Sequence, residues 1–136
     1  MRKLLTLKFL VYIFFLTNTV FSNEWSKVTK GLKGHTFYVD MQQIKEEKNY
    51  IYFWQLINYE KADEYGDYSA KIYMKADCVK LRFRWMKLSY HKSFMAEDKS
   101  LLKKPSDLVA GWQSPEKGST SFTVIEHVCK NKGLVL

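Results

Sequence analysis

The chain has 136 residues, 22 basic against 14 acidic side chains for a formal net charge of +8, and two cysteines. That length holds one domain with a modest core. No Cys-x-x-Cys pair occurs, and His35, His91 and His127 stand scattered, so the pattern supports neither a zinc site, a thiol redox centre nor any cofactor.

The chain opens "MRKLLTLKFLVYIFFLTNTVFS". Arg2, Lys3 and Lys8 form a positive start, and the apolar stretch from Leu10 to Phe21 has twelve residues, with Thr17, Asn18 and Thr19 inside it. A spanning helix needs roughly 20. Val20 and Ser22 suit the −3 and −1 positions of a signal-peptidase site, so residues 1–22 read as an export signal and 23–136 as the mature domain, with no membrane span after cleavage. The rival is a retained anchor. No cysteine lies near the cleavage site, so lipid attachment there has no residue to use. Without the leader the balance is 19 basic against 14 acidic, or +5. This mild excess favours anionic partners, namely polyanionic glycans, acidic proteins or lipid headgroups. An exported chain with scattered basic residues is not read as a nucleic-acid binder.

In the mature chain, "EWSKV" and "HTFYVD" flank Gly31 and Gly34 and predict a hairpin. "MQQIKEEK" lacks strand character and reads as a connecting turn or short helix. "NYIYFWQLINYE" carries Tyr50, Tyr52, Trp54 and Leu56 on one face and Ile51, Phe53 and Ile57 on the other. It reads as a central strand covered on both sides, with Tyr52 and Trp54 expected in the core. "KADEYGD" is a loop. "YSAKIYMKADC" alternates, with Ala70, Ile72, Met74, Ala76 and Cys78 inward. "VKLRFRWMKLSY" continues with Leu81, Phe83 and Trp85 in and Lys80, Arg82 and Arg84 out. Its phase slips at Trp85–Met86, where a bulge or bend would restore burial. Residues 91–118 hold both prolines and read as a loop with a short turn near Ser93 to Met95, anchored on the core by Trp112. From Ser119 onward, Phe122, Ile125, Val128 and Cys129 share a helical face, capped by Ser119 or Ser121. A strand is the rival, because the segment is rich in branched residues.

Two lone cysteines in a small exported domain pair most readily with each other. Cys78 and Cys129 stand 51 residues apart, and such a link stabilises by about 4 kcal/mol in the chain-entropy model. Thiol catalysis and metal ligation are the weaker alternatives.

The "FYVD" strand, the Trp-bearing "IYFWQLINY", the strand ending "ADC", the basic strand after it and "GWQSPEKGSTSFTVIEHVC" follow one another in an order that resembles the bacterial surface-adhesin protein E family, over roughly Trp25 to Lys130. The resemblance implies an α+β fold: one antiparallel sheet of about six strands, with a C-terminal helix held on it by the disulfide. It also implies export and a role in binding host or extracellular matrix proteins. No binding residue carries over from it.

Candidate ligand contacts therefore come from the residues. Lys80, Arg82 and Arg84 line one strand face, widened by Lys71 and Lys75, and suit sulfated or phosphorylated glycans or acidic protein segments. A charged, solvated face is the plainer reading. Tyr65 and Tyr68, in a loop, are the aromatic contact candidates. No catalytic motif is present, so the expectation is a non-enzymatic binding or adhesion module, periplasmic, secreted or on the cell surface. Its partner would be an extracellular or envelope protein, or an anionic glycan. The alternative is a soluble periplasmic envelope or assembly protein that binds a partner protein.

Overall fold

The structure, a computed structural model, describes residues 24–132; the export signal expected at 1–22 lies outside the described residues. Six strands, β1 (Trp25–Lys30), β2 (Thr36–Asp40), β3 (Lys45–Glu47), β4 (Tyr50–Asn58), β5 (Ser69–Asp77) and β6 (Arg82–His91), precede two helices, α1 (Asp107–Ala110) and α2 (Thr120–Lys130). The strands form one sheet in the order β1-β2-β4-β5-β6, with β3 on β4, and every pairing is antiparallel.

The register explains the two faces. β4 and β5 pair over nine residues, Tyr50↔Asp77 to Asn58↔Ser69. Ile51, Phe53, Ala70, Ile72, Met74 and Ala76 therefore fall on one side, and all are buried. β2 and β3 lie end to end along one edge of β4, pairing with Gln55–Asn58 and Tyr50–Tyr52 respectively. A 3-10 turn, Met41–Gln43, joins them, and the Asp40 carboxylate caps it by accepting the Gln42 N–H at 3.1 Å. β3 is three exposed polar residues, so no hydrophobic period announces it.

β6 carries the expected bulge. Tyr73 pairs with Lys87 and Met74 with Trp85, which leaves Met86 as the extra residue. Leu88 is thereby returned to the core. The strand starts later than expected, because the Asp77 carboxylate accepts the backbone N–H groups of Val79 and Lys80 and turns the chain there. Lys80 and Leu81 consequently belong to the turn, and Leu81 is exposed, with φ 48°. The far edge of β6 is closed by the following loop, through Phe83↔Gln113 and Leu88↔Lys103 bridges, which removes one open sheet edge.

α2 covers the inner face. Ser119 caps it, its hydroxyl accepting the Phe122 N–H at 3.2 Å. Val124, Ile125 and Val128 are buried against the sheet. The helix starts over the β1–β2 turn, where Gly31 admits Thr120: a Cβ there would lie 3.1 Å from its methyl. It ends beside β5, where Cys129 is disulfide-bonded to Cys78 with Cα atoms 5.6 Å apart. The expected architecture of sheet, terminal helix and covalent link is thus the one found. Among the described residues α2 is the one long helix laid on the sheet. The opposite side of β4 is covered at its C-terminal end, where Leu56 is fully buried and Asn58 is bonded to Met95 of the 3-10 turn Phe94–Ala96, so β4 is covered on both sides there but not along Tyr50–Trp54.

Candidate functional site: the outer face of the sheet

With α2 on the inner face, the opposite face displays what alternation left there. β4 contributes Tyr50, Tyr52 and Trp54, β5 contributes Lys71, Tyr73 and Lys75, and β6 contributes Arg82, Arg84 and Lys87. Tyr52 and Trp54, expected in the core, are half-buried on this outer face. Their rings pack with Tyr73 at 6.2 and 4.9 Å between centroids. Trp112 stacks on Tyr50 at 5.8 Å, so it anchors its loop to this face and not to the core.

The cations lie on these rings. Lys71 Nζ is 4.5 Å from the Trp54 ring centre, Lys75 Nζ is 4.1 Å from Tyr50, and Lys87 Nζ is 5.1 Å from Tyr73 and 5.4 Å from Trp54. The Arg82 guanidinium sits 4.4 Å over Trp112, with Arg84 at 5.9 Å. Each such contact contributes on the order of 0.5–2 kcal/mol. It also holds a flexible side chain in place. Two carboxylates temper the charge. Asp77 pairs with Arg82 at 3.1 Å: burial pushes its carboxyl up, but hydrogen bonds from the Lys80 backbone, the Arg82 side chain and the Val79 backbone hold it below the usual range. Asp40, with burial raising its pKa, faces Lys71. The Lys71 ammonium is itself lowered by burial, an effect that Asp40 opposes and Lys87 reinforces. Lys75, Arg84 and Lys87 have no carboxylate within 4 Å among the described residues. The buried Arg84 Nε has no hydrogen-bond partner.

The structure thus places Arg82 and Arg84 on this face with Lys71 and Lys75, and sets Lys80 apart in the turn. Lys87 and Trp112 were missed. Lys87 joins the row only once the Met86 bulge is counted, a slip visible in the sequence; Trp112 arrives from a loop, with no local signal. Tyr65 and Tyr68 lie at the opposite end of β6, about 30 Å from Arg82 by strand rise. Tyr68 packs edge-on against Phe94, and its backbone N–H donates to the His91 carbonyl at 2.8 Å.

One further cluster carries reactive residue types. Ser89 Oγ lies 2.8 Å from His91 Nε2, and His91 Nδ1 lies 2.9 Å from the Asp98 carbonyl and 3.3 Å from its Oδ1. In the neutral ring Nδ1 therefore donates and Nε2 accepts the Ser89 hydroxyl. Ser–His–Asp is the composition of a hydrolytic triad, but Ser89 is 2% exposed, so no substrate carbonyl reaches its oxygen. The cluster ties β6 to the turn at Ser93–Asp98, where the Ser93 hydroxyl donates to Asp98 Oδ1. Among the described residues no group of three His, Cys, Asp or Glu side chains is placed to hold a metal, and no helix is long and apolar enough to cross a membrane.

Comparison with known proteins agrees with this architecture. Two structures of Haemophilus influenzae protein E, one of them of crystal form II, are similar in fold. One has a TM-score of 0.64 at 15% identity, covering 82% of this chain and 91% of that one. The other has a TM-score of 0.59 at 15% identity, covering 85% and 90%. Protein E from non-typeable Haemophilus influenzae gives 0.58 at 14% identity, covering 85% and 82%. At such identities the likeness speaks for the fold. Among curated proteins no significant sequence match is found. The model of the surface-adhesin protein E family matches residues 25–130, which is the whole of the sheet and α2, and the chain belongs to that family.

Proposed function

We propose that this chain is an exported, non-enzymatic adhesion module that grips an anionic partner, an acidic segment of an extracellular protein or a polyanionic glycan, with the outer face of its sheet. The observation that carries this reading is the set of ring-seated cations without carboxylate partners: Lys75, Arg84 and Lys87. Cations already ordered over aromatic rings lose little side-chain freedom on binding, which lowers the cost of association. Aromatic rings and arginine together are the residue types enriched at binding hot spots. Family membership and the predicted export signal support action outside the cytoplasm.

The test is retention on immobilised heparin, used as a polyanion, at physiological salt. The combined variant Lys71→Ala, Lys75→Ala, Lys87→Ala is expected to elute in the flow-through, while Lys80→Ala, in the turn, elutes with the wild type. Equal retention of the triple variant overturns the assignment of this face. Protease treatment of intact cells separates the two exported readings. Digestion supports surface adhesion; protection favours a soluble periplasmic protein that binds an envelope partner.

A further inference from the structure

A concavity lies at the far end of the sheet. Tyr59, Tyr65 and Tyr90 wall a cleft of about 650 Å³, with Asp63, Asp67 and Lys92 on its polar side. Its shape is held locally. Asp63 Oδ1 accepts the N–H groups of Tyr65 and Asp67 at 2.9 and 2.8 Å, and Lys92 Nζ reaches the Tyr65 carbonyl at 2.6 Å and Asp67 Oδ1 at 2.8 Å. The loop bearing Tyr65 is therefore pinned from both sides, although Tyr65 is 74% exposed. The outer face has an excess of cations, whereas here the two carboxylates are matched by Lys92 and Lys103, so the formal charge sums to zero.

We infer that this cleft binds a neutral oligosaccharide. A sugar ring presents an apolar C–H face and a rim of hydroxyls. The tyrosine rings offer flat apolar surfaces to the first, and the phenol hydroxyls, the free Asp63 Oδ2 and Ser100 offer donors and acceptors to the second. A charged ligand would upset a balance already met within the cleft, and burying an unmatched charge is costly. An adjoining hollow shares Tyr59 and Asp63, continues past Glu60 to His35 and Lys33, and measures about 740 Å³. The site thus has room for more than one sugar unit. The His35 and Tyr59 rings meet edge-on at 5.3 Å along that path.

The experiment screens the exported, disulfide-bonded protein against neutral glucose, galactose, mannose and N-acetylglucosamine oligomers, alongside sulfated and sialylated glycans and an acidic peptide. Amide resonances are then followed with the neutral oligomer that binds. Shifts are expected at residues 59–67 and 90–92. Tyr65→Ala and Tyr90→Ala are each expected to weaken binding at least tenfold. Asp63→Asn keeps the oxygen that holds the turn and loses the free carboxylate acceptor, and is expected to weaken binding too. The triple lysine variant of the outer face is expected to bind the neutral oligomer unchanged, so failure at one site is distinguishable from failure at the other. Tyr65→Ala removes an exposed ring, which keeps the test clear of misfolding. The inference is overturned if no neutral oligomer binds, if the shifts ignore both tyrosine substitutions, or if only charged glycans or the peptide occupy the cleft.

Discussion

Asp98 shows how one carboxylate organises a strained turn. Met95 and Ala96 adopt left-handed backbone with φ 59° and 50°, which costs non-glycine residues about 1–2 kcal/mol each. Asn58 offsets part of this by accepting the Met95 N–H at 2.8 Å and donating its amide to the Met95 sulfur, while Ser69 Oγ accepts the Ala96 N–H at 3.0 Å. Asp98 closes the turn. The Ser93 hydroxyl first, then the Lys92 N–H and the nearby His91, hold its pKa down at about 2 from an ordinary 3.8. A carboxylate depressed in the folded state stabilises fully above its unfolded pKa and loses that contribution as pH falls through the folded one. Asp98→Asn should therefore lower the melting temperature by a constant margin above about pH 5, and the margin should close between about pH 4 and 2. Parallel melts of the two proteins across that range check it; a gap that persists at pH 2 contradicts the assignment. Tyr59 titrates at the other extreme. Burial, then Tyr90, Asp63 and Asp67, push its phenol up to about 12, so its hydroxyl remains a donor at every physiological pH.

Among the elements, α2 was the most legible and the β5–β6 turn the least. The helix announced itself through apolar residues three and four apart and a serine before them, and both features are realised. Val124 escaped notice because the buried stripe is wider than a strict three-four spacing. Ser119→Ala, which removes the cap, is expected to cost about 1 kcal/mol, and Ile125→Ala, which opens a hole under the helix, about 2–5 kcal/mol. Denaturant unfolding of both variants tests that ranking, and a cap loss larger than the core loss would contradict the packing. At the β5–β6 turn the apolar-polar alternation runs on through Val79 and Leu81, so periodicity alone extends the strand. What stops it is the Asp77 side chain taking two backbone N–H groups, a signal carried by a single residue. The same blindness applies to the outer face. Arg82 and Arg84 were legible because charge alternates along one strand. The rings beneath the cations come from β4, β5 and a distant loop, and no local window contains them together.

For the whole molecule, the division of labour between faces follows from one asymmetry. Among the described residues one long helix, α2, lies on the sheet, and the Cys78–Cys129 bond ties its last turn to the end of β5. The inner face becomes core, and the outer face must satisfy half-buried aromatic rings with its own lysines and arginines. In the entropic view the link is worth about 4 kcal/mol for a loop of this length, against a net stability of about 5–15 kcal/mol for a typical domain. The cysteines sit on either side of the long irregular stretch that carries α1 and Trp112, and much of that stretch is exposed. An extracellular protease that clips it anywhere from residue 99 to 118 would leave both pieces tethered. Such a nicked molecule should migrate as one band without reductant, fall into two with it, and still hold its partner. An adhesin built this way can be cut without letting go.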